Sequence, residues 1–200
     1  MGNEEQVVPA RGAALLTQIR DEIATDPYYA ANFSDDIGRF VAWYLCRVLL
    51  LDQTQAKDDI THGNRHDDMY FDAVVVDDDR RRVVIVQGCF WRSKRVETTI
   101  LLEVLSHWMR LRNLPALQKD CNEKLKNRLE TVRKALEKGY RVDFEVPTTS
   151  GDLTDLPDDI RELFPILSKH FEDSGISATF TIVGAQVLEI RLQESGPRDR

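Results

Sequence analysis

Two β-branched runs joined by a short charged segment constrain this chain most. Residues 73–76 read Ala-Val-Val-Val, residues 83–86 read Val-Val-Ile-Val, and residues 77–81 between them are all Asp or Arg. This pattern is typical of a β-hairpin, although no Asn-Gly or Asp-Gly dipeptide fixes the turn type. Because an antiparallel hairpin brings the end of its second strand beside the start of its first, we expect Asp72 and Gln87 to lie close together.

The end of the second strand carries Gln87, Gly88 and Cys89. Gln87 and Cys89 are two positions apart, so their side chains share one face of the strand. A carboxylate beside a strand that carries an oxygen ligand, a spacer and a lysine is the active-site layout of the PD-(D/E)XK nucleases. There, two side-chain oxygens hold Mg²⁺, which activates water and stabilises the charge on the scissile phosphate. In this chain the oxygen ligand is present, as in the many Mrr-like nucleases that use Gln, but Cys89 occupies the lysine position.

Residues 37–94 resemble, more narrowly, the amino-terminal nuclease-like domain of the abortive-infection phage-resistance (AIPR) family. The segments that carry the resemblance are Phe-Val-Ala-Trp at 40–43, Asp-Asp-Ile at 58–60, Asp-Met-Tyr-Phe-Asp-Ala at 68–73 and Val-Gln-Gly-Cys-Phe at 86–90. The chain departs from the family at His62, where Asp is common, and at Cys89. The match covers about a third of the sequence.

The resemblance implies an α/β, restriction-endonuclease-like fold with a mixed central sheet flanked by helices. It implies a metal-dependent DNA nuclease domain acting in phage or mobile-element defence, with Asp72, Gln87 and Cys89 at the catalytic positions. The implied cofactor is Mg²⁺ on Asp72 and Gln87, and Asp36 on the first core helix is a candidate third ligand. An acidic residue in the first turn of a helix also has a structural role there, so the two interpretations of Asp36 stay open.

The position of Cys89 makes activity the open question. A buried strand cysteine usually behaves as a small apolar residue, and a neutral thiol cannot replace an ammonium beside a phosphate. Lys94, in the basic connection after the hairpin, is a candidate for a relocated lysine, and Arg92, Lys94 and Arg95 are candidate DNA contacts. The alternative function is a catalytically inactive module of the same fold that binds nucleic acid or a protein partner, or a homo-oligomer assembled through long helices.

Composition limits these functions. The chain has 27 basic and 34 acidic residues, a formal charge of −7, which argues against a broad nucleic-acid-binding surface but leaves room for a local basic rim. Three cysteines without regular spacing argue against a disulfide framework and for a cytoplasmic protein. We expect no signal peptide and no membrane association, because the amino terminus is acidic and no apolar run approaches 18 residues.

The length of 200 residues fits one domain, with flexible tails at 1–9 and 195–200. Hydrophobic periodicity predicts helices and strands in the order helix, helix, hairpin, helix, helix, strand, helix, strand. The predicted helices cover 13–23, a segment capped by Ser34, a short stretch at 53–60, a segment from 96 to about 113, 117–136, and 156–171 with a kink or split at Pro165. Further strands are predicted at 140–146, which is expected to be half-buried because apolar and polar residues alternate there, and at 177–183 and 186–192.

Overall fold

The predicted hairpin is present in the computed structural model, which describes residues 10–61, 71–89, 98–149 and 158–194. Strand β1 (Ala73–Asp77) pairs antiparallel with β2 (Arg82–Val86), so that Ala73 lies opposite Val86 and Asp77 lies opposite Arg82. The Arg80 backbone N–H donates to Asp77 Oδ1 at 3.0 Å and fixes the charged turn. The β-branched runs and the polar turn therefore fold as the sequence predicts.

Two more strands extend the sheet from β2. Strand β3 (Arg141–Pro147) lies parallel to β2, and β4 (Ala178–Val183) lies parallel to β3, giving the order β1-β2-β3-β4. The sheet is therefore mixed, with one antiparallel and two parallel pairings. This confirms the α/β class and the mixed sheet flanked by helices.

Helices cover both faces of the sheet. They are α1 (Ala10–Thr25), α2 (Pro27–Asn32), α3 (Asp36–Arg47), α4 (Gln53–Asp59), α5 (Thr98–Met109), α6 (Leu114–Asp120), α7 (Glu123–Glu137), α8 (Asp158–Glu172) and α9 (Ala185–Glu194), with a 3-10 turn at Arg110–Asn113. Helices α1–α4 and α9 share one buried cluster with Val75, Val84 and Val86, whereas α5–α8 share the other with Val74 and Ile85. The hairpin strands are continuously apolar over residues 73–76 and 83–86, because both of their faces are buried.

Helix α3 is the central helix of its face. Residues 40–46 are all buried, with Phe40, Tyr44 and Leu45 fully inaccessible to solvent. Its N-cap is Asp35, whose Oδ1 accepts the Gly38 N–H at 2.8 Å, so the predicted cap at Ser34 is one residue too early. Over residues 40–46 the whole circumference of the helix is covered rather than one stripe, whereas Ile37 in its first turn is 37% exposed.

Three further sequence predictions are wrong. Residues 186–192 are not a strand but part of α9. The helix predicted over 117–136 is broken into α6 and α7, because Asn122 Oδ1 accepts the Leu125 N–H at 2.7 Å and caps a new helix. The predicted split at Pro165 does not occur, because Pro165 lies inside the continuous helix α8.

Another difference is a short helix that the sequence pattern did not predict. Helix α1 ends just before Asp26 and Pro27, which begin α2, with Asp26 as N-cap and Pro27 in its first turn. None of the helices in the described part of the chain combines the length and hydropathy that a bilayer-spanning helix requires.

Candidate functional site

Asp72 lies at the start of β1, held by backbone hydrogen bonds on both sides. Its N–H donates to the Val86 carbonyl at 3.0 Å, and its carbonyl accepts the Thr61 N–H at 2.9 Å. Asp72 is 4% exposed. The backbone at this position is therefore fixed between β2 and the segment that follows α4.

The carboxylate of Asp72 meets the end of β2. Its Oδ2 accepts the Gln87 side-chain Nε2 at 2.8 Å and the Gly88 backbone N–H at 2.7 Å. Hydrogen bonds to an ionised carboxylate are short and stronger than neutral ones. The proximity that the hairpin predicts for Asp72 and Gln87 is therefore confirmed, and it takes the form of a direct contact between the two side chains.

Gly88 is required by the close approach of α3. A Cβ at Gly88 would lie 2.5 Å from Val41 Cγ2 and 3.7 Å from Ile37 Cγ2, both on α3. The first distance is far inside van der Waals contact, so any side chain at Gly88 would push α3 away from the strand end. The absence of a Cβ thus allows the Gly88 N–H to reach Asp72 beneath a tightly packed helix.

Asp36, the predicted third ligand, is in the first turn of α3, next to Ile37. Its side chain is 50% exposed, and its Oδ1 lies 3.9 Å from Arg39 Nη1 in an i,i+3 ion pair. An acidic residue at this position favours the positive end of the helix dipole. The structural interpretation of Asp36 is therefore supported by its place on the helix.

Cys89 does not occupy an open, polar position. It is 3% exposed and belongs to the apolar cluster beneath α5–α8, together with Phe71 and Val146. Its N–H donates to the Pro147 carbonyl at 2.8 Å, which continues the pairing between the β2 segment and β3. The side chain at the lysine position therefore points into the core.

The donor atoms around Asp72 do not fit Mg²⁺. One Asp72 oxygen is already held by two N–H groups, and the other candidate ligand, Gln87, is neutral. Gln87 Oε1 is buried without a hydrogen-bond partner, but one amide oxygen and one carboxylate fall short of the charged oxygen set that Mg²⁺ prefers. No group of three or more His, Cys, Asp or Glu that could hold a metal occurs within residues 10–61, 71–89, 98–149 and 158–194.

The candidate nucleic-acid contacts Arg92, Lys94 and Arg95 lie outside the described residues, as does Asp68. Their predicted role stays a prediction. Away from Asp72, the described residues form a cleft of about 610 Å³ between α4, α7 and the hairpin turn. Arg128 and Asp59 form an ion pair in this cleft, and Asp59 is 1% exposed. Neither Asp72 nor Gln87 lines the cleft.

A buried polar triad lies on the α3 face of the sheet. The Tyr44 hydroxyl donates to Glu145 Oε2 at 2.5 Å, Arg191 Nη2 lies 2.9 Å from Glu145 Oε1, and Arg191 Nη1 donates to the Tyr44 oxygen at 2.5 Å. Glu145 is 3% exposed. The triad joins α3, β3 and α9, three elements that are distant in sequence.

Burial and the charges within the triad shift the pKa values of Tyr44 and Arg191. Burial, followed by the charge of Glu145, raises the pKa of Tyr44 well above its usual value of 10.0. Burial alone would lower the pKa of Arg191, but Tyr44 and Glu145 outweigh it and raise that pKa. Tyr44 therefore keeps its proton in the triad, and Arg191 keeps its positive charge.

The triad is also connected to the candidate site. The Glu145 carbonyl accepts the Gln87 N–H at 3.0 Å, so the strand residue that holds Arg191 also positions Gln87. The prediction that β3 is only half-buried is wrong, because its polar residues Asp143 and Glu145 are 7% and 3% exposed. Tyr44 on α3 and Arg191 on α9 contact Glu145, and the partly buried Arg82 lies 3.3 Å from Asp143.

Comparisons of this chain with protein-family models, with curated proteins and with solved structures found no match.

Proposed function

We propose that this chain is a nuclease-like α/β domain with a degenerate site, which binds DNA without hydrolysing it efficiently. The main support for this proposal is the environment of Asp72. Its Oδ2 accepts hydrogen bonds from the Gln87 amide and the Gly88 N–H, and the residue at the lysine position is the buried Cys89. The role in phage or mobile-element defence that the resemblance implies belongs to the same proposal.

The chemistry explains why hydrolysis is weak. A nuclease of this type needs a set of ligands that holds Mg²⁺ and a cationic side chain beside the scissile phosphate. The described residues near Asp72 provide neither of these. Removing one positioned electrostatic group from a transition state reduces a rate by about 100-fold or more. With both missing, binding is the activity that this arrangement supports.

The first test measures DNA binding as a function of salt. Changing Arg92, Lys94 and Arg95 together to Glu should weaken binding and flatten the salt dependence by about one slope unit for each phosphate that the variant no longer binds. The matched control changes the exposed residues Lys119, Lys126 and Lys169 to Glu, which alters the formal charge equally at other surfaces. No binding by the wild type at low salt would contradict the proposal and favour a protein partner.

The second test measures cleavage of double- and single-stranded DNA with Mg²⁺. We expect little or none from the wild type and no change in Asp72→Asn, which keeps the shape of the side chain and removes its charge. Robust cleavage that Asp72→Asn abolishes would show an active nuclease and refute the degenerate site. Robust cleavage that depends on Lys94 would show that the lysine has moved.

Cys89→Lys is a further measure of the same site. The family layout predicts that a lysine at this position restores some cleavage. The buried surroundings of Cys89 predict instead that a lysine there is desolvated and destabilises the fold. A folded Cys89→Lys variant that cleaves DNA would show that the strand end can open toward Asp72.

A further inference from the structure

The two edges of the sheet differ in protection. At the β1 edge, Ile60 bridges to Ala73, Thr61 bonds to Asp72, and the strand ends in the charged Asp77. At the β4 edge, the strand reads Ala-Thr-Phe-Thr-Ile-Val and contains no charge and no proline. Within the described residues, no strand pairs with the outer side of β4. Proteins usually protect exposed edges with charges, prolines or a covering segment, so an unprotected edge indicates a pairing surface.

The backbone groups on that outer edge follow from the pairing with β3. The Val142 N–H donates to the Ser177 carbonyl at 2.8 Å, and the Thr148 N–H donates to the Val183 carbonyl at 3.1 Å. Because a parallel ladder uses alternate residues of each strand, the odd-numbered positions 177–183 face β3. The N–H and C=O groups of Ala178, Phe180 and Ile182 therefore point away from the sheet.

These outward groups are symmetric about Phe180. In an antiparallel pairing of two copies, Phe180 lies opposite Phe180 of the second copy, and Ala178 lies opposite Ile182. Each of these opposed pairs can exchange N–H···O bonds in both directions. We propose that β4 pairs antiparallel with β4 of a second copy of this chain, centred on Phe180, and joins two four-stranded sheets into one.

The side chains match the same register. Phe180 is half-buried and stacks on Phe144 with ring centroids 4.9 Å apart, and in this register it lies directly opposite Phe180 of the second copy. On the opposite face, Thr179 lies opposite Thr181 of the second copy. Cross-strand aromatic pairs and Thr–Thr pairs are both favourable in antiparallel sheets. An uncharged, self-complementary strand fits a second copy better than an unrelated peptide.

The test uses opposite charges in the predicted register. The full chain should be a dimer by sedimentation equilibrium. Thr179→Lys with Thr181→Lys should be a monomer, since lysines then face lysines, and Thr179→Glu with Thr181→Glu should be a monomer for the same reason. Mixing the two variants should give a one-to-one heterodimer that dissociates as salt increases. Lysine at the exposed residues Thr17 and Thr54 is the matched control and should leave the dimer intact.

A second variant tests the backbone. Thr179 also donates to Asp143 Oδ1 at 2.8 Å, so the charge variants are checked for folding by circular dichroism. Ile182→Pro leaves that hydrogen bond in place and removes an outward N–H, and it should dissociate the dimer while the chain stays folded. A monomeric wild type at every soluble concentration would overturn the proposal. A dimer that survives the charge variants and Ile182→Pro would place the interface elsewhere and overturn it too.

Discussion

Removing the guanidinium of Arg191 tests how far the buried triad stabilises the fold. Arg191→Leu keeps much of the apolar stem of the side chain and deletes the charge that lies 2.9 Å from Glu145. The remaining partner in the triad is the Tyr44 hydroxyl, at 2.5 Å. Because Glu145 is 3% exposed, its carboxylate depends largely on these two partners for stabilisation.

The magnitude follows from burial. Breaking a buried ion pair by removing one partner destabilises a protein by about 3–5 kcal/mol. The Arg191 side chain is 26% exposed, so some water can enter the vacated space, and we expect the lower end, about 3 kcal/mol. For a chain of this length, that corresponds to a fall in the melting temperature of about 6–12 °C.

The assay is urea unfolding followed by circular dichroism, together with thermal melts. The double variant Arg191→Leu with Glu145→Gln should regain part of the stability, because a neutral amide needs no cation and can still accept the Tyr44 hydroxyl. Arg112→Leu is the control, since Arg112 is exposed and donates to the uncharged Ser174. A cost below about 1 kcal/mol for Arg191→Leu, close to the range of ordinary surface changes, would refute the reasoning. So would a double variant no more stable than the single one.

Two further predictions concern the strand end and the triad. Gly88→Ala should destabilise the chain by about 2 kcal/mol, because its Cβ would lie 2.5 Å from Val41 Cγ2. Adding Val41→Ala should recover part of that stability in urea unfolding, and strictly additive effects would contradict the steric explanation. For Tyr44, the native pKa is held above its usual 10.0 mainly by burial, so the corresponding stability is present below pH 10 and disappears as pH rises further. Tyr44→Phe should therefore flatten the fall in unfolding free energy above pH 10, and an unchanged slope would show that Tyr44 does not contribute.

The parts of the fold that the sequence predicted are those set by local patterns. The hairpin follows from two β-branched runs and five charged residues between them, and its turn alone brings Asp72 beside Gln87. The strand prediction for residues 186–192 is wrong because a short run can fit both periods. As helix α9, this segment buries Ala185 and Leu188. Its Gln, Leu, Glu and Arg residues are good helix formers, and this composition was the available signal for a helix.

The buried partners could not be predicted in the same way. Glu145 alternates with apolar residues, which is typical of a strand with one wet face, and local spacing gives no sign of a covering helix. Its cation is Arg191 on α9, and its hydroxyl partner is Tyr44, which is 101 positions away. The cap at Asn122 is local, and a polar residue after Cys121 was the available signal for it.

The mixed order of the sheet has a consequence for how the chain assembles. The β1–β2 pairing closes across residues 78–81, whereas β3 can join β2 only after the chain from 87 to 140 has been looped back. By loop-closure entropy, the longer loop costs roughly 2 kcal/mol more to close than the hairpin turn. The folding route with the smallest entropy loss therefore forms the hairpin first, with Asp72 beside Gln87. Glu145 and Arg191 pack against the hairpin later, so the triad stabilises a strand end that has already formed.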